Sequence, residues 1–74
     1  MKLSPTKYKI LTLVAQGYSD KEIACILKMS PRTVQTHLSK IIAKLDARNR
    51  THAVILYLNS NPGWWKIIIR GKND

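Results

Sequence analysis

The segment from residue 30 to residue 44 holds the side chains that could do chemistry. Gln35, Thr36 and Ser39 offer hydrogen-bond donors and acceptors, and no carboxylate occurs between residues 23 and 45. The basic side chains of this segment are Arg32, Lys40 and Lys44. On a helix, these polar and basic groups fall opposite an apolar stripe formed by Val34, Leu38, Ile41 and Leu45. This composition favours binding of an anionic partner through charge and hydrogen bonds over acid–base catalysis.

The remaining reactive residues do not form a catalytic or metal-binding pattern. The chain has 2 histidines, 1 cysteine and 4 acidic residues. They show no metal-ligand spacing, no nucleophile–base pairing and no glycine-rich phosphate loop. We therefore expect a protein that is not an enzyme, with no catalytic residue, metal or cofactor. A single cysteine, Cys25, cannot close an internal disulfide, which favours a reducing compartment.

The charge of the chain indicates a polyanionic partner. The 74 residues include 13 Lys and Arg against 4 Asp and Glu, a net charge of +9 at pH 7. Nucleic acid is the first candidate and an anionic membrane surface the second. The longest apolar run, residues 53–58, is far too short to cross a bilayer. We expect a cytoplasmic, nucleoid-associated protein without a membrane partner.

Start and stop signals divide the chain into helices. Ser4-Pro5 and Ser30-Pro31 each place a capping hydroxyl before a proline, and Ser19 with Glu22 forms a capping box. Gly17 is suited to end the first helix. The third helix extends to about residue 44, and a fourth is predicted over residues 51–59. The fold class is therefore all-α, in one domain.

The carboxy-terminal segment differs from the rest in composition. Asn61-Pro62-Gly63 is a turn signal, so we place the domain at residues 1–61 and an aromatic, isoleucine-rich extension at residues 62–74. The extension begins with Trp64-Trp65 and continues with three isoleucines, which gives it strand-like propensity. Two alternatives stay open for it: folding back over the fourth helix, or pairing with the same segment of a second chain.

The second and third helices together fit a helix-turn-helix. Two short helices are joined by a tight turn at Lys28-Met29, and the second of them exposes small polar and basic side chains. The major groove of DNA is about 12 Å wide and admits one helix of this kind. Between residues 28 and 50, basic residues outnumber acids by six to one, so positive charge is concentrated around this helix.

A run of motifs in register identifies a family that this chain resembles. The motifs are Leu3-Ser4-Pro5, Ile10-Leu11, Ala15-Gln16-Gly17-Tyr18-Ser19, Lys21-Glu22-Ile23-Ala24, Ser30-Pro31-Arg32-Thr33-Val34, His37, Lys44-Leu45 and Arg48-Asn49-Arg50-Thr51. They resemble the LuxR/GerE-type DNA-binding domain of bacterial transcription regulators over about residues 3–58. The resemblance implies a four-helix helix-turn-helix domain whose third helix enters the major groove and whose fourth helix pairs with a partner.

The resemblance also implies roles for individual residues. Base contacts are expected from Gln35, Thr36 and Ser39. Phosphate contacts are expected from Ser19, Lys21, Ser30, Arg32, Thr33, Lys40 and Lys44. Dimer contacts are expected from Thr51, Val54, Ile55, Tyr57, Leu58, Trp64 and Trp65.

Several positions depart from the family pattern. Lys7 and Lys9 stand where glutamates are common, and Gln35 stands where a basic residue is frequent. Lys28 and Asp46 replace glycines at two helix ends. An aspartate tolerates the left-handed conformation better than a lysine does.

These observations lead to one principal functional hypothesis and one alternative. The first is a stand-alone, sequence-specific transcription regulator that binds double-stranded DNA as a homodimer, with RNA polymerase as a further partner. The alternative is a protein-interaction module, acting as heterodimer partner or inhibitor of a larger LuxR-type regulator. The basic array of the third helix favours the first, because an inhibitor has no need of it.

Overall fold

The computed structural model describes residues 2–71, so residues 72–74 of the predicted extension lie outside the described residues. The element order is α1 (Pro5–Ala15), α2 (Asp20–Leu27), α3 (Pro31–Lys44), α4 (Arg50–Ser60) and α5 (Trp64–Gly71). The all-α class is confirmed, and no strand occurs within residues 2–71. No helix in this range is long and apolar enough to cross a membrane.

Side-chain caps set the helix starts where the sequence predicts them. The hydroxyls of Ser4, Ser19 and Ser30 each accept a hydrogen bond from a backbone N–H three residues on. Glu22 returns a bond to the Ser19 backbone N–H at 2.8 Å, which completes the predicted capping box. Asn49 caps α4 in the same way, so that helix begins at Arg50, one residue earlier than predicted.

Three helices end in the same left-handed turn. Gly17, Lys28 and Asp46 have φ values of 93°, 56° and 55°. After each of them, the next backbone N–H bonds to the carbonyl five residues before it, at 2.9–3.1 Å. These Schellman turns satisfy carbonyls that the helix end leaves free. At Lys28 and Asp46 the turn is made without glycine, which strains the backbone.

The core lies between α1, α2 and α3. Ile10, Leu11, Ile23, Val34 and Ile41 are completely or almost completely buried. The predicted apolar stripe of α3 is therefore its inner face. Packing of this face fixes the rotation of α3 about its axis, and thus which of its side chains reach solvent.

The structure corrects the prediction for the segment after Pro62. The strand that local propensity favours for this segment was wrong, because α5 is a helix. Residues 2–71 therefore contain five helices and not the four that the resemblance implies. Helical spacing turns Trp64 and Ile68 inwards, whereas Trp65 and Ile69 face solvent. Burial of the Trp64 indole against α1 stabilises the helix by more free energy than the weak preference of the isoleucines for a strand would contribute.

Polar contacts fix α5 against α1. The Trp64 indole N–H donates to the Thr12 hydroxyl at 3.0 Å, and the Gln16 side-chain amide donates to the Ile67 carbonyl at 3.3 Å. The Trp64 ring also meets Tyr57 of α4 edge-on, with ring centres 4.9 Å apart. Of the two alternatives for this segment, the position of Trp64 agrees with the first, in which the segment folds back onto its own chain.

Candidate nucleic-acid interface

The outer face of α3 brings the predicted base-contacting residues together. Gln35, Thr36 and Ser39 are all exposed, whereas their chain neighbours Val34 and Leu38 are buried. Because α3 is anchored by its inner face, these three polar side chains project from one surface. We call the exposed face of α3 the recognition face; its members are Arg32, Thr33, Gln35, Thr36, Ser39, Lys40 and Lys44.

Hydrogen bonds within α3 leave the Thr36 hydroxyl as an acceptor. Its proton is donated to the Arg32 carbonyl at 3.0 Å. The oxygen lone pairs and the methyl group stay exposed, which suits a base amino group or a thymine methyl. Thr36 can therefore contribute to base contacts without breaking its own helix bond.

The predicted phosphate contacts lie at the starts of α2 and α3 and along the recognition face. Ser30 accepts from the Thr33 backbone N–H at 3.1 Å, and the two hydroxyls are 2.9 Å apart. Ser19 accepts from the Glu22 N–H, so its own hydroxyl proton can still be donated. Lys21 is exposed beside it. Both helix starts thus present hydrogen-bond donors of the kind that bind phosphate oxygens.

An ion pair that the sequence analysis did not identify joins α2 to α4 near these residues. Arg50 Nη1 lies 2.6 Å from Asp20 Oδ1, and Nη2 lies 3.1 Å from Oδ2. The Arg50 guanidinium lowers the pKa of the Asp20 carboxyl, partly against the effect of burial, and the Gln35 side chain contributes a smaller effect in the same direction. The same contact raises the pKa of Arg50. The pair is fully charged at neutral pH.

Local sequence signals could not reveal this pair. Asp20 follows an N-cap serine, and an acid there is explained by the helix dipole alone. Its partner lies 30 residues further along the chain. Only the tertiary fold, which places the starts of α2 and α4 next to each other, brings the two groups together.

The residues predicted to contact a partner chain divide into three groups by their exposure. Thr51, Ile55 and Trp65 are exposed, with Ile55 and Trp65 at 53% and 49%. Val54 and Leu58 are half-buried. Tyr57 and Trp64 are only 7% and 3% exposed, because they pack on each other and on α1 within their own chain. Those two side chains belong to the core of the chain.

Comparisons with known proteins agree with this geometry. The family model described as "Bacterial regulatory proteins, luxR family" (GerE) matches residues 1–57. The chain is 42% identical over 59 residues to the response regulator protein VraR of Staphylococcus aureus. The proteins of that name from Staphylococcus saprophyticus and Staphylococcus epidermidis show the same identity. The match covers 80% of this chain but 28% of each relative.

The family match extends from α1 through most of α4 and includes the whole recognition face. It leaves out α5, which is the element that departs from the four-helix expectation. The motifs and the fold therefore lead to the same assignment. The chain belongs to the luxR family of bacterial regulatory proteins, and it is a DNA-binding helix-turn-helix domain of transcription regulation.

Proposed function

We propose that this chain is a sequence-specific transcription regulator that places α3 in the major groove of DNA. The observation that carries the proposal is the recognition face: polar side chains at its centre, basic side chains at its edges, and no carboxylate within α3. Gln35, Thr36 and Ser39 contact base edges, because they lie at the middle of this face. We place the protein in the cytoplasm, at the nucleoid.

The division of labour follows from side-chain chemistry. Gln35 can donate to N7 and accept from N6 of adenine, which distinguishes one base pair from the others. Arg32, Lys40 and Lys44 neutralise phosphates on the groove walls and position the helix without sequence preference. Ser19, Lys21, Ser30 and Thr33 add phosphate contacts from the helix starts.

We further propose that two copies bind two half-sites through α4. The exposed side chains Thr51 and Ile55, with Val54 and Leu58 beside them, form an apolar strip that a second α4 can cover. Two recognition helices on one face of DNA then require half-sites separated by about one helical turn or a multiple of it. Trp65, which is exposed on α5, is a further side chain that we propose for contact with the second copy.

The test is selection of bound sequences from random DNA, followed by affinity measurements on two variants. Gln35→Ala is expected to relax preference at one base pair, at a cost of about 1–3 kcal/mol in discrimination. Arg32→Ala is expected to weaken binding to all sequences together. Lys9→Ala removes a charge from the exposed side of α1, outside the recognition face, and controls for net charge.

Two results would count against the proposal. Equal losses on selected and random DNA for Gln35→Ala would remove this residue from the base contacts. Absence of any enriched sequence would favour the alternative, a heterodimer partner or inhibitor of a larger regulator. That alternative has one observation in its favour: Ile55, Trp65 and Ile69 leave apolar surface exposed on α4 and α5. RNA polymerase is a further candidate for such a surface.

A further inference from the structure

The start of α2 carries more negative than positive charge, although phosphate contacts are proposed there. Its first turn holds two acids, Asp20 and Glu22, and one lysine, Lys21. The Glu22 carboxylate accepts from the Ser19 backbone N–H at 2.8 Å, so this N–H is already engaged in the capping box. The donors proposed for a phosphate are the Ser19 hydroxyl and the Lys21 ammonium, and Asp20 lies between them in the chain. An unpaired carboxylate at this position would repel the phosphate.

Arg50 supplies the positive charge that the start of α2 lacks. Its Nη1 lies 2.6 Å from Asp20 Oδ1, and its Nη2 lies 3.1 Å from Oδ2, so both carboxylate oxygens are engaged. The Asp20 side chain is 20% exposed, and the Arg50 side chain is 41% exposed. The guanidinium is therefore the more accessible member of the pair. Together with Arg50, the charged side chains at this helix start are two acids and two bases.

The geometry of the pair indicates that Arg50 acts through Asp20. The two terminal nitrogens of its guanidinium form parallel hydrogen bonds to the carboxylate, which is the strongest arrangement for these two groups. A direct bond from the same nitrogens to a phosphate would have to replace or share these contacts. Arg50 can affect DNA binding without such a bond, because it cancels the charge of an acid that lies next to two proposed phosphate contacts.

We propose that Arg50 is a positioning residue for DNA binding: it neutralises Asp20 and holds the carboxylate against the start of α4, so that Ser19 and Lys21 can bind a phosphate. This inference rests on the proposed function, since it concerns the phosphate contacts of α2. Without Arg50, a carboxylate faces the phosphate and like charges repel each other. All sequences are affected together, because phosphate contacts carry no information about the bases.

The experiment compares two variants that break the same ion pair from opposite sides. The affinities of wild type, Arg50→Gln, Asp20→Asn and the double variant are measured by fluorescence anisotropy on a selected and a random duplex at about 0.1 M salt. Arg50→Gln leaves the carboxylate unpaired and should weaken binding to both duplexes about tenfold. Asp20→Asn removes the carboxylate and should leave both affinities unchanged or raise them. The double variant should return to within about threefold of wild type.

Two further variants control for net charge and for folding. Arg70→Gln removes the same charged group from an exposed position on α5, and it should weaken binding less than about threefold, because salt screens distant charges. Circular dichroism at the assay temperature shows whether each variant is folded. If Arg50→Gln is not, Arg50→Lys replaces it. Lysine pairs less well with a carboxylate, so a loss of about twofold to threefold is expected, and Asp20→Asn should recover it.

Three results would overturn this inference and leave the proposed function intact. Equal losses for Arg50→Gln and Asp20→Asn would show that the pair matters only for the fold. A loss that the double variant retains would make Arg50 a direct phosphate contact. Unchanged affinity in the folded Arg50 variant would show that Asp20 does not oppose DNA binding. If the wild-type chain selects no sequence from random DNA, the proposed function fails, and this inference fails with it.

Discussion

Replacing Trp64 by alanine tests whether α5 is part of the folded core. The indole is 3% exposed, its N–H bonds to the Thr12 hydroxyl at 3.0 Å, and its ring meets Tyr57 at nearly a right angle, 81°. The same side chain was a candidate for contacts with a second chain, so its effect on the stability of one chain is informative.

The structure gives an expected magnitude for Trp64→Ala. A buried tryptophan removes on the order of 150–250 Å² from water, and its truncation to alanine costs about 3–5 kcal/mol. The lower part of that range applies, since the Thr12 hydroxyl still donates to the Tyr8 carbonyl at 2.7 Å and is not left without a partner. A core of this size supplies only about 3–5 kcal/mol in total. A loss of about 3 kcal/mol therefore leaves at most about 2 kcal/mol, so the variant should unfold at a much lower urea concentration than the wild type.

Urea titration followed by far-ultraviolet circular dichroism measures this loss. Trp65→Ala is the matched control, because it removes the same side chain from the next position, where it is 49% exposed. We expect the control to lose less than about 1 kcal/mol. Similar losses for the two variants would refute the assignment of Trp64 to the core. Deletion of residues 63–74 gives a second comparison: early melting with unchanged self-association would exclude an intermolecular role for the extension.

Three further predictions concern the turn, the ion pair and the phosphate contacts. Lys28→Gly should raise the free energy of unfolding by about 1 kcal/mol, because Lys28 has a φ of 56°; thermal unfolding measures it. Because folding lowers the pKa of Asp20 below its ordinary value of 3.8, the Asp20–Arg50 pair stabilises the fold above that pH, and the contribution disappears as the pH falls through the lower, folded value. The difference in urea midpoint between wild type and Asp20→Asn should therefore shrink as the pH falls below 3.8, and a constant difference would contradict this. Lys40→Ala should reduce the slope of log K against log salt concentration by about one, as measured by fluorescence anisotropy.

Elements defined by local signals were predictable from the sequence. Hydroxyl–proline pairs and a capping box act within four residues, and they placed the starts of α1, α2 and α3 correctly. The inner face of α3 followed from the spacing of Val34, Leu38 and Ile41, all of which are buried. Since the inner face determines the outer one, the exposure of the recognition face followed as well. Its contacts with bases and phosphates stay predictions.

Features that depend on distant partners were not predictable in this way. The isoleucines after Trp65 favour a strand locally, but Thr12 of α1 and Gln16, the residue that caps its end, form hydrogen bonds with a helix at this place. Likewise, Asp20 has an adequate local explanation at a helix start, and its contact with Arg50 arises only from tertiary packing. In both cases the decisive partner is at least 30 residues away along the chain.

The position of α5 also changes why this chain would form a dimer. A domain of this size is marginal, and self-association is a common source of stability for such domains. However, Trp64 and Tyr57 complete the core within one chain. In the proposed dimer, pairing through α4 would therefore join two half-sites on DNA and would not be needed for folding. It follows that the unfolding midpoint should not depend on protein concentration, whereas the apparent affinity for a two-half-site DNA should exceed that for one half-site. A midpoint that rises steadily with concentration would show instead that folding and dimerisation are coupled.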